Sequence, residues 1–203
     1  FRQWGSPTPG HPELDIKRGV ENTSGPLGQG HVIAVGAAIA ERFLCQRFGE
    51  WMAHDIYTFI SDGGIQEEIS QGAGRLAGYL GLHNLVMFYD SNDIQLSTKT
   101  EAVTTEDTAK KYESWGWSVK TIEGNDVGQI YEALAEARDE KEKPFLIIGK
   151  TIMGKGAVTE AGENFESQVS THGMPLGSAG ASSDKSIENL GGDPLNAFRI
   201  FPE

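Results

Sequence analysis

Cysteine is almost absent from this 203-residue chain, in which Cys45 is the single example. One cysteine cannot form an intrachain disulfide, so the composition favours a protein of a reducing compartment, the cytoplasm. The sequence also has no apolar run of about 18 residues and no signal-peptide pattern, which argues against a membrane-spanning protein.

Positive charge is scarce as well. The chain has 17 Lys and Arg residues against 29 Asp and Glu residues, which gives a formal net charge of −12. Such a surface repels nucleic acid phosphates and anionic lipids, so neither nucleic acid nor a membrane is expected as a partner. A phosphorylated ligand would need local help from a metal ion or a helix N-terminus.

Hydrophobic patterning predicts alternating strands and helices. Four apolar runs, at 56–60, 85–89, 117–122 and 145–148, are interpreted as strands, and helices are predicted at 31–48, 67–80, 106–115 and 126–140. Most of the strands are apolar on both faces, which is typical of an α/β fold: a three-layer parallel sheet with helices on both faces. From residue 151 onward the pattern predicts an irregular tail.

Polar residues follow two consecutive strands. Asp62 and Gly63 come directly after the first strand, and Asn92 comes after the second. Since ligands bind at the carboxyl ends of parallel strands, Asp62 and Asn92 are expected within about 8 Å of each other. Their oxygens suit Mg²⁺ or Ca²⁺, completed by a backbone carbonyl, phosphate oxygens and water. Both motifs are also ordinary turn sequences, and spacing alone leaves the two interpretations open.

The Asp62-Gly63 pair followed thirty residues later by Asn92 resembles the thiamine diphosphate motif of transketolases and related enzymes. Other segments resemble the same family in the same order, so the resemblance covers nearly the whole chain; these segments are 1–6 with 9–13, 19–21 with 25–30, 105–107, 112, 116–117, 150–152 and 171–177. It implies the thiamine-diphosphate-binding fold and a transferase that moves a two-carbon ketol unit from a ketose phosphate, such as xylulose 5-phosphate, to an aldose phosphate in the pentose phosphate pathway.

The resemblance also implies residue roles. Asp62, Asn92 and the carbonyl of Ile94 would hold Mg²⁺ (or Ca²⁺). The cofactor, thiamine diphosphate, would contact Gly25, Leu27, Gly63, Asn92 and His172. His11 and His172 would be catalytic, and Glu67 would join a carboxylate network across a homodimer interface. The remaining histidines, His31, His54 and His83, are interpreted as structural or solvated.

One position departs from the family pattern, because Ser61 stands where the family usually has glycine. Serine would be strained there if the site required a positive φ. Residues 1–203 are expected to form a single diphosphate- and metal-binding domain, truncated at its N-terminus and lacking the downstream domains. Because the family takes an activating glutamate from another domain of the partner subunit, the chain alone is expected to be inactive.

Two alternatives come from other classes of protein. One is a different thiamine diphosphate enzyme, similar to 1-deoxyxylulose-5-phosphate synthase or to a dehydrogenase E1 subunit. The other is a non-catalytic interaction module that keeps the fold alone. The histidine-containing loops around His11 and His172 disfavour the first, and the intact pair of Asp62 and Asn92 disfavours the second.

Overall fold

The computed structural model describes residues 2–197 and 199–200, and a parallel β-sheet forms its centre. The strands of this sheet are β1 (Ile56–Ser61), β2 (Leu85–Ser91), β3 (Ser118–Glu123) and β4 (Phe145–Lys150). They lie in the order β1-β2-β4-β3, and every neighbouring pair is parallel. The predicted strands are confirmed, with ends that differ by at most two residues.

Among the described residues, one long α-helix precedes the first strand, four further α-helices lie between the first and last strands, and two short α-helices lie beyond the last strand. They are α1 (Gln29–Phe48), α2 (Asp62–Gln66), α3 (Glu68–Leu80), α4 (Thr108–Ser114), α5 (Val127–Asp139), α6 (Leu176–Ala179) and α7 (Ser183–Asn189). The prediction of an irregular tail after residue 151 was therefore partly wrong. A serine cap helps to explain the difference, since the Ser182 hydroxyl accepts a hydrogen bond from the amide of Lys185 at the start of α7.

The helices cover both faces of the sheet, as the three-layer prediction requires. On one face, residues such as Ala38 of α1, Ala77 of α3 and Tyr112 of α4 pack against the strands in one core cluster. On the other face, Ala133 and Ala137 of α5 pack in a second cluster. Each of these side chains is at most 2% exposed, so small residues let the helices approach the sheet closely. Every helix in the described ranges is too short or too polar to span a lipid bilayer.

Strand β1 is less well covered than its neighbours on the α5 side. The side chains of Tyr57 and Phe59 are 51% and 78% exposed there, although Phe59 contacts Phe88 of β2 with ring centroids 5.7 Å apart. Within the described residues β1 is also an edge of the sheet. The chain therefore presents an open strand edge that carries two aromatic side chains.

Helix α3 contacts the turn after α4 with no space between the two backbones. A methyl group built on Gly78 would lie 1.9 Å from the carbonyl oxygen of Trp115. The neighbouring Trp117 indole donates a hydrogen bond of 2.8 Å to the carbonyl of Gly74, one helical turn earlier. Glycine at 78 is therefore required by packing, because any side chain would force the two elements apart.

A buried carboxylate joins α1 to the loop that precedes β2. Glu41 is 5% exposed, and its oxygens accept hydrogen bonds from the Asn84 amide at 2.6 Å and the Cys45 thiol at 2.9 Å. The Asn84 amide also donates to the carbonyl of Ala38 at 3.0 Å. The carboxylate is thus satisfied by neutral donors, which is the condition for keeping such a group in a protein interior.

This network predicts a thiol of low reactivity at Cys45. The hydrogen bond to Glu41 and burial raise the pKa of Cys45 to about 11, against an ordinary value of 9.0. Because the thiolate is the reactive form, alkylation by iodoacetamide at pH 8 is expected to be roughly 100-fold slower than that of a free cysteine. Glu41→Gln should speed the reaction, and mass spectrometry can follow the single site. Alkylation at the rate of a peptide cysteine would contradict the prediction.

Candidate metal and diphosphate site

Asp62 lies at the carboxyl end of β1, where α2 begins, and its side chain is 1% exposed. One carboxylate oxygen, Oδ1, accepts a hydrogen bond of 2.5 Å from the hydroxyl of Tyr89 on β2. The other, Oδ2, accepts from the backbone amides of Asn92 at 3.1 Å and Asp93 at 3.0 Å. Burial raises the pKa of Asp62, and these hydrogen bonds partly oppose the increase.

Asp62 and Asn92 are thus adjacent, as predicted, since the backbone amide of Asn92 lies within hydrogen-bonding distance of the Asp62 carboxylate. The Asn92 side-chain oxygen accepts a hydrogen bond of 3.0 Å from the amide of Ile94. An amide oxygen has two lone pairs, so Asn92 keeps one acceptor position. The carbonyl of Ile94 accepts no hydrogen bond from the residues that the structure describes. Hydrogen bonds therefore link Asp62 to Asn92 and Asn92 to Ile94, and these three residues are called the Asp62 cluster below.

This cluster fits a divalent ion with few protein ligands. In the described part of the chain, no three His, Cys, Asp or Glu side chains are placed together to hold a metal. An ion at Asp62 would therefore depend on amide and carbonyl oxygens from the protein and on oxygens from a phosphorylated ligand. Mg²⁺ commonly binds in this way, through one or two carboxylates with substrate phosphates and water.

Asp93 has an unusual backbone conformation, with φ of 63°. This left-handed geometry lets the consecutive amides of Asn92 and Asp93 point at the same carboxylate oxygen of Asp62. Two such amides form a small concave donor site for an anion. Aspartate tolerates a positive φ better than most residues other than glycine and asparagine. Position 93 therefore disfavours most side chains, although it accepts aspartate.

The backbone requirement at position 93 can be tested by substitution. Asp93→Gly is expected to preserve the fold, because glycine adopts a positive φ without steric cost. Asp93→Val should lower the free energy of unfolding by about 1–3 kcal/mol relative to Asp93→Gly, since a β-branched residue is strained there. Urea denaturation of both variants provides the measurement. Equal stability of the two would show that the loop relaxes freely at this position.

A second group of predicted residues lies beside Asp62. A methyl group built on Gly63 would be 3.1 Å from the Leu27 side chain, and one built on Gly25 would be 3.2 Å from the His11 ring. His11, Gly25 and Leu27 line a common cleft of about 220 Å³ at the carboxyl end of β1. The structure therefore brings the predicted cofactor loop and His11 next to the chain segment that carries Asp62.

Ser61 is not strained in the position where the resemblance places glycine. Its φ is −101°, which any residue adopts, and its hydroxyl accepts a hydrogen bond of 3.2 Å from the amide of Gly64. Serine is a favourable residue at this N-cap position. Ser61 therefore contributes to the start of α2.

His172 and Glu67 make no hydrogen bond with Asp62, Asn92 or Ile94 among the described residues. The Nδ1 atom of His172 is buried and has no hydrogen-bond partner among the described residues, and the adjacent Gly173 approaches Leu96 in the loop after Ile94. Glu67 is exposed and directly precedes α3. The roles assigned to these two residues stay predictions.

Tyr89 was absent from the predicted site, although its hydroxyl holds Asp62. A tyrosine in an otherwise apolar buried strand, directly before the polar turn, was the available signal, because buried tyrosine hydroxyls usually find a partner. Burial and the neighbouring carboxylate raise the pKa of Tyr89, so its hydroxyl remains a donor. Asp93 was also missed, because nothing in the sequence marks a positive φ at an aspartate.

Comparisons with known proteins identify the family of the chain. The family model described as "Transketolase, thiamine diphosphate binding domain" matches residues 1–203. Transketolase 2 of Escherichia coli K12 is 46% identical over 182 residues, which cover 87% of this chain and 26% of that protein. The transketolase of Staphylococcus aureus MW2 is 40% identical in an alignment 208 residues long, gaps included, which covers all of this chain and 30% of that protein.

Solved structures give the same result. A transketolase from Leishmania mexicana superimposes with a TM-score of 0.89 at 36% identity, and one from Campylobacter jejuni with 0.88 at 39%. These alignments cover 99% and 98% of this chain and 30% of each of the other chains. The chain thus spans less than a third of the length of these relatives. Because the family model matches residues 1–203 and the solved structures align with 98–99% of the chain, the chain belongs to the transketolase family, in which it corresponds to the thiamine diphosphate binding domain.

Proposed function

We propose that this chain binds the diphosphate of thiamine diphosphate through a divalent ion held by Asp62, Asn92 and the carbonyl of Ile94. The observation that carries the proposal is the buried Asp62 carboxylate, which is fixed by the Tyr89 hydroxyl and by the backbone amides of Asn92 and Asp93. A phosphorylated ligand needs a positive centre in a chain with a net charge of −12. A bound Mg²⁺ or Ca²⁺ supplies that centre.

The protein to which the chain belongs is proposed to be a transketolase, which passes a two-carbon ketol unit from a ketose phosphate to an aldose phosphate. When bound, thiamine diphosphate supplies the electron sink for breaking a bond next to a carbonyl. Gly63 would let the backbone approach the diphosphate, and Gly25 and Leu27 would border the rest of the cofactor. His11, which lines the same cleft, is proposed to hydrogen-bond the sugar. His172 is proposed to contact the diphosphate and to assist proton transfer near the reacting centre.

Calorimetric titration of the complete protein tests the binding proposal. Thiamine diphosphate should bind tightly when Mg²⁺ is present and weakly when a chelator removes the metal, because the ion links carboxylate and phosphate. Repeating the titration with Ca²⁺ compares the two metals. No binding at millimolar cofactor with metal would overturn the proposal. A coupled assay with xylulose 5-phosphate and with pyruvate as donors then tests the reaction class.

A homodimer is proposed on the basis of an apolar groove between α1 and α3. The groove has a volume of about 400 Å³, and its lining residues are Val32, Val35, Gly36, Ile39, Ile69, Gly72, Ala73 and Leu76. Ile69 and Leu76 are 58% and 45% exposed, and Glu67 lies at the end of the groove, beside Gly28. A second copy covering this face would bury these residues and bring Glu67 into a shared carboxylate network. Ile69→Lys should convert the complete protein to monomers in sedimentation velocity experiments.

The finer predictions follow from the same family membership. Residues 1–203 are proposed to act as one diphosphate- and metal-binding domain, with no ketol transfer of their own, because the cleft at His11 is open and the family's activating glutamate belongs to another domain. The sugar phosphate substrates, the pentose phosphate pathway and a cytoplasmic location are proposed with it. An assay of residues 1–203 alone tests whether this segment lacks ketol transfer, and full transfer activity would overturn that proposal.

A further inference from the structure

Three buried polar side chains from different helices line one small cavity beneath the Gly25–Gly30 loop. They are His31 of α1, Ser70 of α3 and Tyr112 of α4, with exposed fractions of 5%, 1% and 0%. The His31 Nε2, Ser70 Oγ and Tyr112 Oη atoms have no hydrogen-bond partner among the described residues. Buried polar atoms without partners are rare in folded proteins, and three around one cavity call for a common explanation.

The chemistry of the three groups suits a shared polar ligand of the smallest size. Burial lowers the pKa of His31 to about 4, so the ring is neutral near pH 7 and its Nε2 can either donate or accept a hydrogen bond. The hydroxyls of Ser70 and Tyr112 can both donate and accept. The cavity volume is about 10 Å³, close to the room that one water molecule needs, and a buried water typically makes about three hydrogen bonds.

One residue that lines the cavity, Ser70, also contacts the loop that carries Gly25 and Leu27. His31 is the third residue of α1, directly after that loop. Gly28 has a φ of 84°, and a methyl group built on it would lie 2.9 Å from the Ser70 hydroxyl oxygen. The loop therefore rests on Ser70 and continues into His31, so two members of the group contact its C-terminal end.

We propose that His31, Ser70 and Tyr112 bind one buried water molecule, and that this water centre fixes the Gly25–Gly30 loop on the helical layer. The proposal concerns the protein without cofactor, so it can fail or succeed independently of the proposed thiamine diphosphate binding. It assigns a positioning role to three residues whose side chains form no hydrogen bond with the proposed metal ligands in the described chain, and of which His31 also lines the cleft at His11.

A crystal structure of the complete protein at about 1.5 Å resolution tests the first half. A water molecule is expected within about 3.2 Å of at least two of the three atoms. A cavity without a water molecule, or one closed by direct hydrogen bonds between the three side chains, would overturn the proposal.

Hydrogen exchange without cofactor tests the second half. The amides of Gln29 and Val32, which donate to the carbonyls of Pro26 and Gly28, report on the end of the loop. In Tyr112→Phe and in Ser70→Ala their exchange should be on the order of fivefold faster, as expected for loss of one hydrogen bond. Tyr131→Phe, at an exposed tyrosine of α5, is the matched control and should leave the rate unchanged.

The double variant, with Ser70→Ala and Tyr112→Phe together, separates a shared centre from two independent contacts. If one water molecule joins the two hydroxyls, the double variant should exchange about as fast as the faster single variant. If the increase in exchange rate in the double variant equals the product of the two single increases, the two residues act separately, and the proposal of a shared water molecule is overturned. Unchanged exchange in all folded variants would remove the anchoring role.

Discussion

Replacing Asp62 by asparagine is expected to weaken metal-dependent binding of thiamine diphosphate by on the order of 100-fold, or about 2.7 kcal/mol, with little loss of fold. Asparagine has nearly the same shape. Its oxygen can accept from the amides of Asn92 and Asp93, and its NH₂ group can donate to the hydroxyl of Tyr89. What is lost is the negative charge of the carboxylate in the proposed ligand set. Calorimetry with Mg²⁺ and cofactor measures the change.

Asp55→Asn provides the matched control for that experiment. Asp55 is an exposed aspartate just before β1, at the opposite end of the strand from Asp62, so its substitution removes the same charge without touching the cluster. Its cofactor affinity should equal that of the unsubstituted protein. Unchanged affinity in Asp62→Asn, with the fold intact by circular dichroism, would exclude Asp62 as a metal ligand.

Gly78→Ala is expected to cause the largest loss of stability among single-methyl additions to α3. In an open helix this change would stabilise the protein by up to about 1 kcal/mol, because alanine has the higher helix propensity. Here the added methyl meets a backbone oxygen of Trp115 at 1.9 Å, so α3 and the turn after α4 must separate. We expect a loss of about 3 kcal/mol or more in the free energy of unfolding, measured by urea denaturation.

Gly72→Ala in the same helix should have the opposite sign. No atom lies within 4 Å of the position that its methyl group would occupy. A gain of up to about 1 kcal/mol is expected from helix propensity alone. Because Gly72 lines the proposed dimer groove, all variants should be compared at a concentration where they share one oligomeric state. Equal effects of the two substitutions would contradict the packing argument for Gly78.

The sequence predicted the parts of the fold that depend on hydrophobic periodicity. The buried strand at 85–89 is part of β2, and the helix at 67–80 corresponds to α3. Helix α2 was missed, because two glycines in five residues give it a low helix propensity. It forms because Ser61 caps its first turn and because the chain must turn directly after β1.

The site was predictable to a similar degree. The adjacency of Asp62 and Asn92 follows from the parallel pairing of β1 with β2, in which Ser61 lies opposite Asp90. The hydrogen bond from Tyr89 does not follow from spacing, because it depends on how a side chain is directed at the end of its strand. Cavities enclosed by residues distant in sequence, such as His31 and Tyr112, also require the packed structure.

The open edge of β1 has a practical consequence for work with residues 1–203. Within the described residues, the outer edge of β1 pairs with no other strand, so a strand that displays Tyr57 and Phe59 offers backbone donors and acceptors, together with an apolar surface, to any other extended polypeptide. Preparations of this segment in isolation should therefore tend to form soluble aggregates during expression and concentration. A lysine in place of Phe59 would discourage such pairing, since edge strands are commonly protected by charge.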